Sequence, residues 1–164
     1  MNGFPAGDGK LKSSRPTATP MDFRQVDVSQ KPVSFRTATA SGRIRLRRET
    51  ISLIRKGKVE KGDPISLAEI AGIQAVKKTP DLLALCHPLK VESTAVRVLL
   101  RPEAVEVTVT VSAHEKTGVE MEALTGVSVA LLNVWDMVKQ YEKKGGQYQT
   151  TRIESLRVTG KTKS

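Results

Sequence analysis

Cysteine is almost absent from this 164-residue chain, and the single one, Cys86, excludes an intramolecular disulfide framework. Aromatic residues are nearly as scarce: three Phe, two Tyr and one Trp. No run of about 18 apolar residues occurs, so no membrane-spanning helix is expected. The first residues lack the apolar core of a secretory signal. A cytoplasmic protein that does not contact a membrane is therefore expected. Neither GxGxxG nor GxSxG is present, and Gly160-Lys161-Thr162 lacks the upstream glycine of a Walker loop. With only two histidines, His87 and His114, far apart in sequence, and no second cysteine, metal-ligand spacing is missing. No metal is expected.

What is present is a soluble, globular balance of 38% hydrophobic and 27% charged residues. The formal charge is +10, and its distribution is uneven. Residues 1–61 hold 14 Lys and Arg against 5 acids, whereas residues 62–164 hold 13 against 12. A basic arm of this kind suits RNA, a membrane surface or a polyphosphate, and charge alone does not choose. Residues 1–25, rich in Gly, Pro, Ser, Thr and Lys, bury too little to offset ordering entropy and are expected to be a disordered arm. Residues 26–164 are expected to form a single catalytic α+β domain.

The order of elements follows from periodicity and breakers. Residues 35–46 read as a strand. Residues 48–56 put Ile51, Leu53 and Ile54 on a short helical face, stopped by Gly57. Asp63-Pro64 open a second helix as cap and first-turn proline, and it runs to about Lys78 before Thr79-Pro80. Residues 82–88 are expected to be irregular. Val96, Val98 and Leu100, then Val105, Val107, Val109 and Val111, alternate with polar residues across a turn at Pro102-Glu103, which is a hairpin with one buried face. A long helix over about residues 118–143 carries Leu124, Val127, Leu131, Val134, Val138 and Tyr141 at spacings of three and four. Gly145-Gly146 end it, a strand over about residues 148–158 follows, and a short tail closes the chain. The expected fold is a sheet of about four antiparallel strands with helices on one face.

Chemistry-bearing residues gather on the long helix and the loops. At about 100° per residue, Asp136 lies only about 40° from Glu122, opposite the core stripe. Both carboxylates are therefore expected to point away from the monomer core. Gly126, Val129 and Leu132 share that side, which is too apolar for plain solvent and suggests a subunit interface. Lys139, three residues beyond Asp136, is either a surface ion pair or a lysine held for phosphate binding or proton transfer. Cys86-His87 is a metal fragment, a thiolate–imidazole couple or a core cysteine beside a hydrogen-bonding histidine, and His87 is also suited to orient phosphate or move protons. Lys77, at a helix end where cations suit the dipole, and Lys61, in a glycine-containing loop, each read as solvated surface.

Read together, four segments go further. They are Val26-Asp27-Val28-Ser29; Lys61-Gly62-Asp63 leading to Ala71-Gly72-Ile73-Gln74-Ala75-Val76-Lys77-Lys78-Thr79; Leu85-Cys86-His87-Pro88-Leu89; and Lys116-Thr117-Gly118-Val119-Glu120-Met121-Glu122-Ala123-Leu124-Thr125 with Asp136-Met137-Val138-Lys139. In order, separation and identity they resemble the MoaC family, the cyclic pyranopterin monophosphate synthases of molybdenum cofactor biosynthesis. The resemblance runs from about residue 25 to the C-terminus and implies a ferredoxin-like fold. It also implies a hexamer built as a trimer of dimers, with active sites at the dimer interface. The implied reaction is a lyase-type conversion of 3',8-cyclo-7,8-dihydro-GTP to cyclic pyranopterin monophosphate, releasing pyrophosphate without a redox cofactor.

The resemblance also implies site residues: Asp136, Lys61 and Lys139 for catalysis, and Asp27, Arg36, Lys77, Leu85, Cys86, His87, Glu120, Met121 and Glu122 for substrate binding. Lys77, Arg36 and His87 would neutralise the triphosphate. Lys61 and Lys139 would act as general acid or base with pKa values lowered by neighbouring cations. Glu122 and the loop at residues 85–87 would grip the guanine-derived ring. The rival is a small RNA-binding module on a similar sheet. Its base-stacking aromatics are missing from the hairpin strands over residues 96–111, so no nucleic-acid partner is expected.

Overall fold

The computed structural model describes residues 23–164. Of the arm expected over residues 1–25, the part before residue 23 lies outside the described residues. Residues 23–33 run without strand or helix up to β1 (Ser34–Arg45). There follow α1 (Arg48–Arg55), α2 (Pro64–Lys77), α3 (Thr79–Leu82), β2 (Ser93–Leu100), β3 (Ala104–Glu115), α4 (Glu120–Glu142) and β4 (Arg152–Lys163).

Alternation in the strands decides which face is buried. Val105, Val107, Val109, Val111 and Ala113 of β3 point into the core, as do Ala38, Ala40 and Ile44 of β1. Each fully buried valine or isoleucine removes apolar surface worth about 1.5–3 kcal/mol. The intervening Thr37, Thr39, Ser41, Thr108 and Thr110 lie on the opposite, half-open face. All pairings are antiparallel in the order β2-β3-β1-β4, with β1 central. This is the ferredoxin-like arrangement of an α+β fold, as expected.

Small residues set how closely the helices approach. A Cβ on Gly42 of β1 would sit 3.0 and 3.1 Å from side-chain carbons of Val127 and Leu131 on α4. Gly72 of α2 and Gly126 of α4 face one another in the same way: a Cβ on Gly126 would lie 3.3 Å from the Gly72 carbonyl oxygen. α4 is long and apolar enough to cross a membrane by composition, but its apolar side is covered by the sheet and by α2. Its far end is fastened by Glu142, whose buried carboxylate accepts from the Arg47 backbone N–H and the Thr151 hydroxyl.

The start and stop signals act as expected at α1 and α2. Gly57 takes a φ of 64° after α1, and Asp63 caps α2 by accepting from the Ile65 N–H at 2.9 Å. Three boundaries differ. Thr79 and Pro80, expected to close α2, instead open a helical turn of their own, α3, which runs to Leu82 with Pro80 in its first turn. The hairpin strands extend beyond the valine run, to Ser93 and Glu115. The last strand begins at Arg152 and runs through the segment expected to be a tail, as far as Lys163. That strand pairs with β1 through backbone bonds while most of its side chains are exposed, so no alternation marks it.

Candidate active site

Three clusters contain nearly all of the expected site residues, and two of them adjoin. The first is a cavity of about 350 Å³ where the loop after α3, the turn before α4 and residues 24–31 meet. Leu85, Cys86, His87, Met121 and Glu122 all line it. Buried Val119 anchors the turn, so that Glu120 and Glu122 fall in the first turn of α4, where carboxylates suit the helix dipole.

Glu122 is only 3% exposed, and its Oε2 atom has no hydrogen-bond partner. The expectation that it points away from the monomer core is corrected: of the two carboxylates, only Asp136 is exposed. Burial is the main reason that the Glu122 carboxyl lies above its usual value of 4.5, and the nearby charges of Glu120 and Glu115 add to this. An unpartnered buried carboxyl is costly unless something fills the cavity and meets it. Burial also pushes the Cys86 thiol up, with a further contribution from the Glu122 charge, so Cys86 is not an activated thiolate. Asp27 accepts the Ser29 backbone N–H at 2.8 Å; this bond is the main cause of its lowered pKa, and the charges of Lys116 and His87 contribute.

The second cluster sits on the other side of Gly118 in a concavity of about 340 Å³. Arg36 reaches it from β1, and its guanidinium donates to the Glu115 and Lys116 carbonyl oxygens at 3.4 Å. Glu120 pairs there with Lys161 at 3.1 Å. Sequence reasoning missed Lys161, because only the β1–β4 register brings the last residues beside Arg36.

The third cluster joins Lys61, Asp136 and Lys139. One Asp136 carboxylate oxygen accepts from Lys61 at 2.8 Å, the other from Lys139 at 2.7 Å, and Lys61 also donates to the Asp136 carbonyl at 2.9 Å. Val59 is buried and Gly62 takes a φ of 110°, a left-handed value that turns the chain into the α2 cap and aims Lys61 at α4. The two lysine bonds hold Asp136 down at about 2. The expected lowering of the lysine pKa values is corrected for Lys139: its bond to Asp136 raises it above 10.5, because a carboxylate, not a cation, is its nearest neighbour.

Lys77 ends α2 and is exposed, outside all three clusters. Asp136 follows Glu122 by fourteen residues on one helix, so the third cluster stands about 21 Å along the axis from the first. The second apolar side of α4 also has a partner within the chain, since Gly126 packs on α2. Leu132, at 55% exposure, and Met121, at 43%, stay uncovered. Sequence reasoning also missed Gln25, whose side-chain amide donates to the Cys86 and Leu85 carbonyls; no local pattern marks such a bond across 60 residues.

Comparison with known proteins places the chain in a family. Residues 25–164 match the MoaC family. A "probable cyclic pyranopterin monophosphate synthase" of Pyrococcus abyssi is 55% identical over 142 residues, covering 86% of this chain and 89% of the relative. One of Sulfurisphaera tokodaii is 53% identical over 140 residues, covering 85% and 93%. A protein of Methanothermobacter thermautotrophicus named as a probable accessory protein of that synthase is 53% identical over 141 residues, covering 85% and 89%.

Proposed function

Because the chain belongs to the MoaC family, we propose that it is a cyclic pyranopterin monophosphate synthase of molybdenum cofactor biosynthesis, acting on 3',8-cyclo-7,8-dihydro-GTP. The observation that carries this reading is one cavity holding Leu85, Cys86, His87, Met121 and Glu122, beside a second concavity holding Arg36. A triphosphate needs cations, and Arg36, His87 and Lys77 are suited to charge-assisted bonds with its oxygens. A guanine-derived ring offers N–H donors, and the unpartnered Glu122 carboxyl is suited to accept them. Ring opening and closure need proton transfers. Lys61 and Lys139 are suited to supply them, with Asp136 accepting a hydrogen bond from each and fixing where both side chains stand.

The active unit is a homo-oligomer, a hexamer of three dimers, with each site shared by two chains. Two observations support it: Lys61, Asp136 and Lys139 stand too far from the first cavity for one chain to close them around one nucleotide, and Met121 and Leu132 leave apolar surface uncovered beside both. The location proposed is the cytoplasm.

The test is direct. Purified protein is given the cyclised dihydro-GTP, and both pyrophosphate and the fluorescent oxidised pterin are measured. Release of both, lost in Lys61→Ala and in Lys139→Ala, supports the assignment. A folded oligomer that releases neither overturns it.

A further inference from the structure

The loop that forms one wall of the first cavity is anchored at its end, where Leu89 and Val91 pack on the core and the Glu92 N–H donates to the Ser112 carbonyl at 3.0 Å. Its tip at residues 85–87 has fewer bonds to the rest of the fold. Between α3 and β2 the chain has no regular structure, and Pro88 removes a backbone donor from it. Its internal bond is Cys86 N–H to the Leu83 carbonyl at 2.9 Å, and Lys90 N–H reaches Glu115 at 2.8 Å. Neither holds the peptide planes of Leu85 and Cys86 from outside. Gln25 does: its Nε2 donates to the Cys86 carbonyl at 2.8 Å and to the Leu85 carbonyl at 3.3 Å. One amide carries two N–H groups, so it serves both oxygens at once. The segment bearing Gln25 is itself fastened to the opposite wall, where Lys116 Nζ donates to the Ser29 carbonyl at 2.8 Å. Arg24, Val26 and Val28 from the same segment line the cavity.

We infer that Gln25 is a positioning residue that sets the substrate-binding loop of Leu85, Cys86 and His87 by clamping its carbonyls to the segment that crosses the cavity. This rests on the synthase reading above. Gln25 touches neither Lys61 nor Asp136, so it acts on how the substrate is received and not on the proton-transfer steps. A side chain in that place has to donate. A carboxylate of the same shape would face two carbonyl oxygens and repel them, whereas a lysine retains donors.

The test compares Gln25→Glu, Gln25→Ala and Gln25→Lys with the parent by two readouts. The first is hydrogen–deuterium exchange of the peptide over residues 83–89 in the ligand-free protein. The second is steady-state kinetics on the cyclised dihydro-GTP. In Gln25→Glu, loop exchange and KM each rise about five- to tenfold while kcat changes less than about twofold, the loss expected of one or two hydrogen bonds. Gln25→Ala behaves likewise, and Gln25→Lys recovers both values. Unchanged loop exchange in Gln25→Glu overturns the clamp, and faster exchange with unchanged KM overturns its role in substrate binding. If the parent itself fails to turn over, the synthase reading falls, and exchange still decides whether Gln25 holds the loop.

Discussion

Asp136 lies between two ammonium groups on the surface, whereas Glu122, earlier on the same helix, is buried with its Oε2 atom unpartnered. Their protons respond in opposite ways. The Asp136 pKa falls from 3.8 to about 2, so its contribution to stability is complete above 3.8 and disappears as pH drops through about 2. In Asp136→Asn, Lys139 loses the bond that raises it and returns toward 10.5, which an NMR titration of its side chain would detect, and turnover is lost with it. For Glu122 the sign reverses. Its folded pKa lies above 4.5, so the folded state holds the proton more tightly and stability falls as pH rises out of that range. Glu122→Gln removes the charge from a buried carboxyl whose Oε2 atom has no partner. It should be about 1 kcal/mol more stable than the parent at pH 8 by urea denaturation, with the gain vanishing near pH 4, and should lose at least about tenfold in kcat/KM. The residue types of the candidate site were legible because the motifs are long. The environment of Glu122 was not, since helix angles alone cannot tell that the loop at residues 85–89 and the turn before α4 gather around that end of the helix.

Elements carry the site by holding α2 and α4 in contact, and that contact depends on two glycines. A Cβ on Gly126 would stand 2.8 Å from Val76 Cγ2 and 3.2 Å from Val109 Cγ1, between α2 and the sheet, with little room to give. Gly126→Ala should therefore cost about 1–3 kcal/mol, measured as a lower urea midpoint with an unchanged slope. Because α2 starts beside Lys61 and ends at Lys77, the same displacement should impair turnover although neither lysine is altered. Much at this scale was written locally: the Asp63 cap, the Gly57 stop, the valine alternation of β3 and the core stripe of α4. β4 was not. Its exposed side chains show no period, Ser155 sits at a φ of 59° where the register with β1 shifts, and Glu154 is held between Arg43 and Arg152. The register and the Arg43–Glu154 pair depend on a strand more than a hundred residues away. Lys161 comes to line the same concavity as Arg36 only through that pairing.

At the scale of the whole molecule, the separation between the His87–Glu122 cavity and the Lys61–Asp136–Lys139 cluster makes a quantitative prediction. About 21 Å of one helix divides them, more than a closed pocket around one nucleotide spans. A two-fold axis beside exposed Met121 and Leu132 would set one chain's cavity against the partner chain's lysine cluster. His87→Ala and Lys61→Ala should each be inactive alone, since every site in either oligomer lacks one group. Co-expressed in equal amounts, half of the dimers are mixed. In each mixed dimer, one site collects both defects and the other collects none, so about one quarter of the parent activity returns. Assay of the purified mixture, with its oligomer size checked by light scattering, decides the matter. Recovery near a quarter means that each site draws on two chains. No recovery in assembled mixed oligomers means that each chain supplies both clusters itself, and α4 would then have to bend or the loops close by many ångströms when substrate binds.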